Sequence, residues 1–294
     1  MVTLASDTGP HGSVLRYCRR MSDYVHSPRA GFEAALVGAA LQAALSTDRR
    51  LPVFGIVGLQ GSGKSTLAAQ VSALAESRGL RTAVVSLDDF YLERQQRLQL
   101  ARQVHPLLAT RGPPGTHDLA LALSTMVQLQ EGRRIALPRF DKLADDRLPR
   151  TQWPVVAGHC DLVILEGWFL KTPAQHDLEL QPALNPLERN EDGAGTWRRW
   201  CNEALAREYP ALWQCIDRLW FLQGPGLEVV PGWRWEQEQA LQAAHPGPTG
   251  MDRGQIDRFV QLFERVSRQA LRALPHVAER TIMIDSERRP LRFS

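Results

Sequence analysis

The sequence lacks a strong excess of charge of either sign. Lysine and arginine number 35 against 32 aspartate and glutamate residues, which gives a net charge of +3. No long block of like charges occurs along the chain. Since a nucleic-acid-binding domain usually carries a concentrated basic patch, we expect no nucleic-acid partner. The sequence does not indicate which protein partners, if any, the chain has.

Cysteine and long apolar runs are also scarce. The four cysteines, Cys18, Cys160, Cys201 and Cys215, show neither C-x-x-C spacing nor a paired histidine pattern. This argues against a zinc site and against a disulfide framework, and favours a reducing, cytoplasmic location. The longest apolar runs have the length of strands, so we predict neither a signal peptide nor a membrane span.

A glycine-rich segment follows the first apolar run. Residues 53–57 are largely apolar, residues 58–65 are Gly-Leu-Gln-Gly-Ser-Gly-Lys-Ser, and apolar residues then recur at helical spacing. This order of strand, loop and helix matches the phosphate-binding loop, or P-loop, G-x-x-x-x-G-K-[ST]. Loop N–H groups at a helix N-terminus bind phosphate, the lysine reaches the β- and γ-phosphates, and the serine hydroxyl binds Mg²⁺. We predict that the nucleotide, ATP, is bound by Gly58, Gln60, Gly61, Ser62, Gly63, Lys64, Ser65 and Thr66.

The alternative is a glycine-rich turn followed by a chance Lys-Ser pair, and the matching flanks argue against it. The P-loop alone does not identify the function. Kinases, GTPases, motor ATPases and nucleotide-gated binding modules all contain one. The function must therefore be argued from other segments.

Two carboxylates follow the second predicted strand. Residues 81–87 are mostly apolar and end in Asp88-Asp89-Phe90-Tyr91. Ligands bind at the C-terminal edge of strands in open α/β sheets, so a carboxylate there can accept a proton from a hydroxyl group. The alternative is that one of the aspartates caps the helix starting near Glu93. With a P-loop upstream, we predict that Asp88 is catalytic.

A third apolar run, residues 162–165, ends in Glu166. A carboxylate at the end of a buried strand is typical of a Walker-B strand, in which it binds Mg²⁺ directly or through water. The alternative is a solvated strand end. We predict that Ser65 and Glu166 form the metal site.

The loop of residues 110–118 carries polar and basic side chains between glycines and prolines. Thr116 or Asp118 is predicted to cap the following helix. Capping does not explain Arg111 and His117, so we consider both as candidates for substrate binding.

Arg139 lies in residues 135–142, which we predict to be a short strand at the edge of the sheet, since proline is excluded from central strands. Lone basic residues in such places are more often solvated than functional.

Residues 181–196 are polar and rich in turn formers, which is compatible with an insertion over the site or with an ordered surface loop.

The region after the fourth predicted strand, 216–223, has the layout of a lid. Two helices separated by glycine-rich segments span residues 225–255 and beyond, and the second is predicted to end near Leu274, just before Pro275. A lid must bring positive charge to the phosphoryl group, and Arg234 is the candidate. The alternative is an exposed helical arginine.

The predicted strands and helices alternate, and no internal repeat occurs. This pattern predicts an α/β P-loop NTPase three-layer fold, with a five-stranded core parallel sheet and helices on both faces. We assign residues 51–294 to this kinase-like domain. Residues 1–50 are predicted to be a helical N-terminal extension that packs on the sheet edge.

Several motifs together resemble one family. The P-loop followed by Asp-Asp-Phe-Tyr is similar to the small-molecule kinases that include phosphoribulokinase, uridine kinase and pantothenate kinase. The resemblance narrows to D-glycerate 3-kinase and its bacterial relatives, over roughly residues 51–285, through these segments: Arg111-Gly112, Gly115-Thr116-His117-Asp118-Leu119, Pro138-Arg139-Phe140-Asp141-Lys142, Glu166-Gly167-Trp168, Trp233-Arg234, Gln237-Glu238 and Gly250-Met251. One departure is Pro231-Gly232, where helix formers are expected.

The resemblance implies an ATP-dependent kinase in which Asp88 is the base, Glu166 lies near Mg²⁺ and Arg234 belongs to the lid. It also implies a small-molecule acceptor, D-glycerate or a similar hydroxy acid, phosphorylated on its primary hydroxyl. A carboxylate favours a bidentate arginine. We assign the acceptor contacts to Tyr91, Arg111, His117, Asp118 and Arg139, and the catalytic roles to Asp88, Lys64 and Arg234.

Two alternatives remain open. The acceptor is a nucleoside, pantothenate or another sugar acid, or the chain is a nucleotide-switched binding module with slow hydrolysis. Against the switch, no Asn-Lys-x-Asp guanine-binding signature occurs in the sequence.

Overall fold

The computed structural model describes residues 31–244 and 250–291, and a five-stranded sheet forms its centre. Its strands are β1 Val53–Gly58, β2 Thr82–Ser86, β7 Leu162–Gly167, β8 Arg218–Gln223 and β9 Arg280–Met283. They are all parallel and lie in the order β2-β7-β1-β8-β9. The predicted five-stranded α/β fold is confirmed.

Nine helices belong to the described residues. They are α1 Ala34–Leu45, α2 Lys64–Ser77, α3 Arg94–Gln103, α4 Leu119–Gln130, α5 Pro186–Glu191, α6 Thr196–Arg207, α7 Pro210–Trp213, α8 Val230–Ala244 and α9 Arg253–Val277. None of these helices combines the length and the apolar character needed to cross a lipid bilayer.

Helices cover both faces of the sheet, which explains why β1 and β7 are buried along their whole length. One apolar core joins the sheet to α1 and α2, and a second joins it to α4, α6 and α9. The sheet thus buries both of its faces, as the uninterrupted apolar runs predict.

Helix α1 is the described part of the predicted N-terminal extension. It packs against α2 and shares a core with Phe54 and Ile56 of the central strand β1. The expectation that it packs on the sheet edge is wrong, because its apolar side chains face the P-loop helix. The Gln70 side chain of α2 also exchanges two hydrogen bonds, of 2.9 and 3.0 Å, with the backbone of Phe32. The rest of the predicted extension, residues 1–30, lies outside the described residues.

Residues 134–157 form two small antiparallel sheets of their own. Strand β3 (Arg134–Ala136) pairs with β6 (Val155–Ala157), and β4 (Phe140–Asp141) pairs with β5 (Asp146–Arg147). The predicted edge strand at 135–142 therefore does not join the main sheet. Pro138 has no N–H to donate and lies between β3 and β4, where the ladder of β3 has ended.

Residues 181–196, for which the sequence left two alternatives open, form an ordered segment that includes α5. Two buried ion pairs hold it in place. Arg265 of α9 contacts Glu188 of α5 with two hydrogen bonds of 2.6 and 2.7 Å, and Arg198 of α6 contacts Asp192 at 3.0 Å. Glu188 and Asp192 are both almost fully buried, so each needs its arginine.

Proline lies within both helices that follow β8. Helix α8 begins at Val230, so Pro231 lies in its first turn, where the missing N–H would have had no intrahelical partner. Helix α9 does not end before Pro275 as predicted. It continues to Val277, with Pro275 in its last turn, and ends where the Ala278 N–H donates to Leu274 at 2.8 Å.

Candidate active site

The P-loop connects β1 to α2 at the C-terminal edge of the sheet. Gly61 and Gly63 have φ angles of 82° and 92°, in the left-handed region that favours glycine. A Cβ on Gly61 would lie 2.6 Å from Cβ of Trp233, so the first turn of α8 packs directly on the loop. The Ser62 hydroxyl and the Gln60 amide are buried and make no hydrogen bond to any described residue. These polar groups are available to a bound phosphate.

Lys64 and Ser65 lie at the start of α2 beside the end of β7. The Lys64 ammonium is buried and donates to the Leu59 carbonyl at 3.0 Å. Burial lowers its pKa, an effect that the charges of Glu166 and Asp88 oppose. The Ser65 hydroxyl donates to Glu166 Oε1 at 3.0 Å, and Thr66 follows in the first turn of the same helix. The two predicted metal ligands are thus in contact.

Asp88 lies in a short 3₁₀ helix, Leu87–Phe90, immediately after β2. Its carboxylate accepts hydrogen bonds from Lys142 Nζ at 2.6 Å and from the Tyr91 hydroxyl at 2.7 Å. Burial raises the pKa of Asp88, but Lys142, Tyr91 and Lys64 lower it more, so the net shift is well below the ordinary value. Asp88 is therefore ionised at neutral pH, and its role as the base stays a prediction.

Asp89 has a different environment. Its carboxylate accepts from Arg139 Nη1 at 3.0 Å and from the Phe140 N–H at 3.2 Å. Burial raises the pKa of Asp89 although both donors oppose the rise. Asp89 thus holds residues 139–140 against the 3₁₀ helix that follows β2, whereas Asp88 interacts with the P-loop lysine.

The capping alternative for the two aspartates is wrong. Helix α3 is capped by Glu93, which exchanges hydrogen bonds with Gln96 in a capping box. Neither carboxylate of the Asp88-Asp89 pair is needed for that helix.

Arg111 lies on the loop before α4 and close to the same site. It forms an ion pair with Asp145, donates to the Lys142 carbonyl at 3.2 Å and lies over the Phe140 ring at 5.5 Å. Its charge acts on the Tyr91 phenol, which places it near Asp88. The structure therefore brings Arg111, Arg139 and Tyr91 together around the two aspartates.

His117 is buried behind Tyr91. Its ring centroid lies 4.7 Å from that of Tyr91, and Nδ1 lies 2.7 Å from the Tyr209 hydroxyl. Burial lowers its pKa to about 3, so the imidazole is neutral at physiological pH. His117 can donate or accept a hydrogen bond, but it carries no charge.

Asp118 is the helix cap that the sequence predicts. One carboxylate oxygen accepts from the Leu121 N–H at 3.0 Å, and the other contacts Arg147 at 3.1 Å. Both oxygens have structural partners, so nothing in this arrangement directs Asp118 to an acceptor. Its assignment to substrate binding stays a prediction.

Arg234 lies in the first turns of α8. Its guanidinium contacts Glu238 at 3.6 Å and lies over the Phe259 ring at 5.4 Å. Burial lowers its pKa, and the charges of Asp88 and Arg111 also act on it. The side chain is 14% exposed. The alternative of an exposed helical arginine is wrong.

Two pairings in this site were not predicted from the sequence. Lys142, the partner of Asp88, follows Arg139 closely in the motif Pro-Arg-Phe-Asp-Lys, and that proximity was the available signal. Tyr209, the partner of His117, lies between α6 and α7 in a segment without a motif, so no signal pointed to it.

Comparisons with known proteins support this picture. A scan against models of protein families gives no match. The chain is 30% identical over 224 residues to the chloroplastic D-glycerate 3-kinase of Arabidopsis thaliana, a match that covers 72% of this chain and 46% of the relative. The chain thus spans about half the length of that relative.

Two further similarities extend over most of both proteins. The chain is 31% identical over 265 residues to the Saccharomyces cerevisiae protein named "Probable ATP-dependent kinase TDA10", covering 82% of this chain and 88% of the relative. The solved structure of D-glycerate 3-kinase from Cryptococcus neoformans superposes with a TM-score of 0.70 and 27% identity, covering 88% of this chain and 96% of the other.

Proposed function

Because the chain belongs to the family of P-loop kinases that includes D-glycerate 3-kinase, we propose that it transfers the γ-phosphoryl group of ATP to the primary hydroxyl of D-glycerate and releases 3-phosphoglycerate. Membership of this family supports a phosphotransferase activity. The acceptor is the part that we propose. The observation that carries the proposal is the position of Asp88, an ionised carboxylate at the end of β2 within electrostatic reach of the P-loop Lys64.

The groups around Asp88 fit transfer to a hydroxy acid. Asp88 accepts the proton of the attacking hydroxyl as the phosphoryl group moves in line. Lys64 neutralises charge on the phosphates. Arg111 and Arg234 both act electrostatically on Tyr91 beside Asp88, so they are suited to bind a carboxylate. A neutral polyol has no negative charge to pair with these two arginines.

We further propose that Mg²⁺ is bound at Ser65 and Glu166. Their hydroxyl and carboxylate oxygens are hard donors that lie 3.0 Å apart. Residues 31–244 and 250–291 contain no group of three or more His, Cys, Asp or Glu side chains that could hold a metal ion, so we expect the nucleotide and water to supply the remaining ligands. When bound, the ion supplies positive charge to the β- and γ-phosphates.

We propose residues 225–255 as the lid. Helix α8 lies against the P-loop through Trp233 and carries Arg234 to the side of Asp88. Closure of these helices would exclude water that otherwise competes with the acceptor. Residues 245–249, between α8 and α9, lie outside the described residues.

The experiment that tests the proposal is ADP release by the purified chain with Mg-ATP and a panel of acceptors: D-glycerate, L-glycerate, glycerol, uridine and pantothenate. We expect strong stimulation by D-glycerate and little by glycerol, with 3-phosphoglycerate as the product. Stimulation by uridine or pantothenate instead would reassign the acceptor. A preference for GTP without stimulation by any acceptor would favour the nucleotide-switched module.

Asp88→Asn tests the base. We expect kcat to fall by about 100- to 10,000-fold, the usual contribution of general base catalysis, with the affinity for ATP nearly unchanged. Asp177→Asn, at an exposed aspartate of a surface 3₁₀ helix, is the control. Retained turnover in Asp88→Asn would overturn the assignment.

A further inference from the structure

His117 and Tyr209 form a buried pair behind the active site. His117 is 4% exposed and Tyr209 is fully buried. Nδ1 of the imidazole lies 2.7 Å from the Tyr209 oxygen, although 92 positions separate the two residues. The rings of Phe169 and Trp213 pack against Tyr209, which holds the phenol in place. The orientation of the imidazole is thereby fixed.

The tautomer of His117 follows from the partners of Tyr209. The phenol oxygen accepts a hydrogen bond from the Gly115 N–H at 2.8 Å. Its own proton has no other acceptor among the described residues, so it is assigned to His117 Nδ1, which then accepts. The remaining ring proton is on Nε2. Since burial lowers the pKa of His117 to about 3, this neutral form persists at physiological pH.

Nε2 is the unusual atom of the pair. It is buried and has no hydrogen-bond partner among residues 31–244 and 250–291. Buried polar groups almost always have a partner, and leaving a donor unpaired is costly. This N–H group belongs to a ring that Tyr209 holds in place through Nδ1, so it is suited to bind a ligand oxygen.

The neighbours of His117 indicate which ligand. Its ring packs on Tyr91, whose hydroxyl donates to Asp88 at 2.7 Å, and the Asp88 charge acts on His117 itself. The charges of Arg111 and Arg234 act on the same Tyr91. The histidine thus belongs to the acceptor side of Asp88, among groups that favour an anion.

We propose that Tyr209 is a positioning residue that holds His117 as the Nε2–H tautomer, and that this N–H donates a hydrogen bond to a carboxylate oxygen of the acceptor. The inference rests on the proposed function and specifies how its site recognises a hydroxy acid. A neutral donor adds directional recognition to the arginine charges without adding charge of its own.

Steady-state kinetics test the contact. The amide nitrogen of glutamine can replace Nε2 as a donor, whereas leucine cannot. We expect His117→Leu to raise KM for D-glycerate by about 10-fold or more, the usual effect of a lost hydrogen bond to a charged group. His117→Gln should restore KM to within a few-fold, and KM for ATP should stay unchanged in both. His159→Gln, at a half-exposed histidine before β7, is the matched control.

The tautomer is tested without any substrate. Long-range ¹H–¹⁵N spectra of the labelled protein distinguish protonated from unprotonated ring nitrogens, and His117→Gln identifies the signals. We expect a single Nε2–H form in the wild type and a mixture of tautomers in Tyr209→Phe, with a raised KM for D-glycerate only. A shift in thermal stability alone, with the tautomer unchanged, would mean that Tyr209 is merely structural.

Four other results would overturn the inference. An Nδ1–H or charged His117 in the wild type at pH 7 would remove the donor. Equal defects in His117→Gln and His117→Leu, or an unchanged KM in His117→Leu with normal D-glycerate turnover, would remove the contact and leave the kinase intact. Absence of D-glycerate-stimulated ADP release by the wild type would overturn the proposed function and, with it, the carboxylate contact.

Discussion

Replacement of Lys142 by methionine should change the pH dependence of catalysis through Asp88. Lys142 Nζ lies 2.6 Å from Asp88 Oδ2. Burial raises the pKa of Asp88, and the charge and hydrogen bond of Lys142 are the largest of the effects that bring it below its ordinary value. Methionine keeps much of the side-chain volume but removes that charge. The pKa of Asp88 must therefore rise in the variant.

The expected magnitude follows from the exposure of the pair. The Asp88 side chain is 27% exposed and the Lys142 side chain is 49% exposed, so water screens their attraction. A short charge-assisted hydrogen bond strengthens the pair beyond a purely superficial one. We therefore expect the loss of Lys142 to cost about 1 to 2 kcal/mol of interaction with ionised Asp88, or about 5- to 30-fold in its proton affinity.

The direction of the change in the pH profile follows from which protonation state of Asp88 is active. Transfer needs ionised Asp88, and a depressed pKa keeps it ionised as the pH falls. Lys142→Met should therefore lose activity at a higher pH than the wild type. The depressed pKa also contributes folding stability above the unfolded value of about 3.9, a contribution lost as the pH falls towards the folded value. The variant should accordingly be less stable near neutral pH, with a smaller further loss in acid.

The assay is the pH profile of kcat/KM for the acceptor, which reports groups of the free enzyme. It is carried down to the lowest pH at which both proteins stay folded, because the depressed pKa of Asp88 places the acid limb well below neutral pH. Lys142→Arg, which retains the charge, is the control and should keep the acid limb near that of the wild type. An acid limb of Lys142→Met that coincides with that of the wild type would refute the reasoning. Either Asp88 is then not the base, or the ion pair is absent from the working enzyme.

Three further predictions concern other parts of the structure. Arg265→Met leaves the buried Glu188 without its arginine partner. We expect urea titrations to show a free energy of unfolding lower by about 3 to 5 kcal/mol. An unchanged free energy of unfolding would contradict the buried ion pair. Gly115→Ala places a Cβ against the Trp200 ring at a residue with a φ of 87°, so we expect a clearly lower Tm. A Tm equal to that of the wild type would contradict this backbone conformation of Gly115. Glu166→Gln should raise the Mg²⁺ concentration needed for half-maximal activity by about 10-fold or more, whereas an unchanged requirement would argue against a metal site there.

Much of the fold was predictable because it is encoded in contiguous segments. Buried parallel strands are uninterrupted apolar runs, and β1 and β7 each appear as one. The P-loop is recognisable because its glycines, lysine and serine are adjacent in sequence. Asp88 and Glu166 directly follow or end apolar strands, so their position at the C-terminal edge of the sheet was also predictable.

The partners of these residues were decided only by the tertiary structure. Asp88 pairs with Lys142 across 54 positions, and His117 pairs with Tyr209 across 92. Asp118, predicted both as a cap and as a substrate ligand, has its second oxygen engaged by Arg147 from β5. Local pattern determines which face of an element is apolar, but it does not determine which distant loop closes over that element. Such contacts form only when the packing of the whole domain repays the entropy of closing the loops between them.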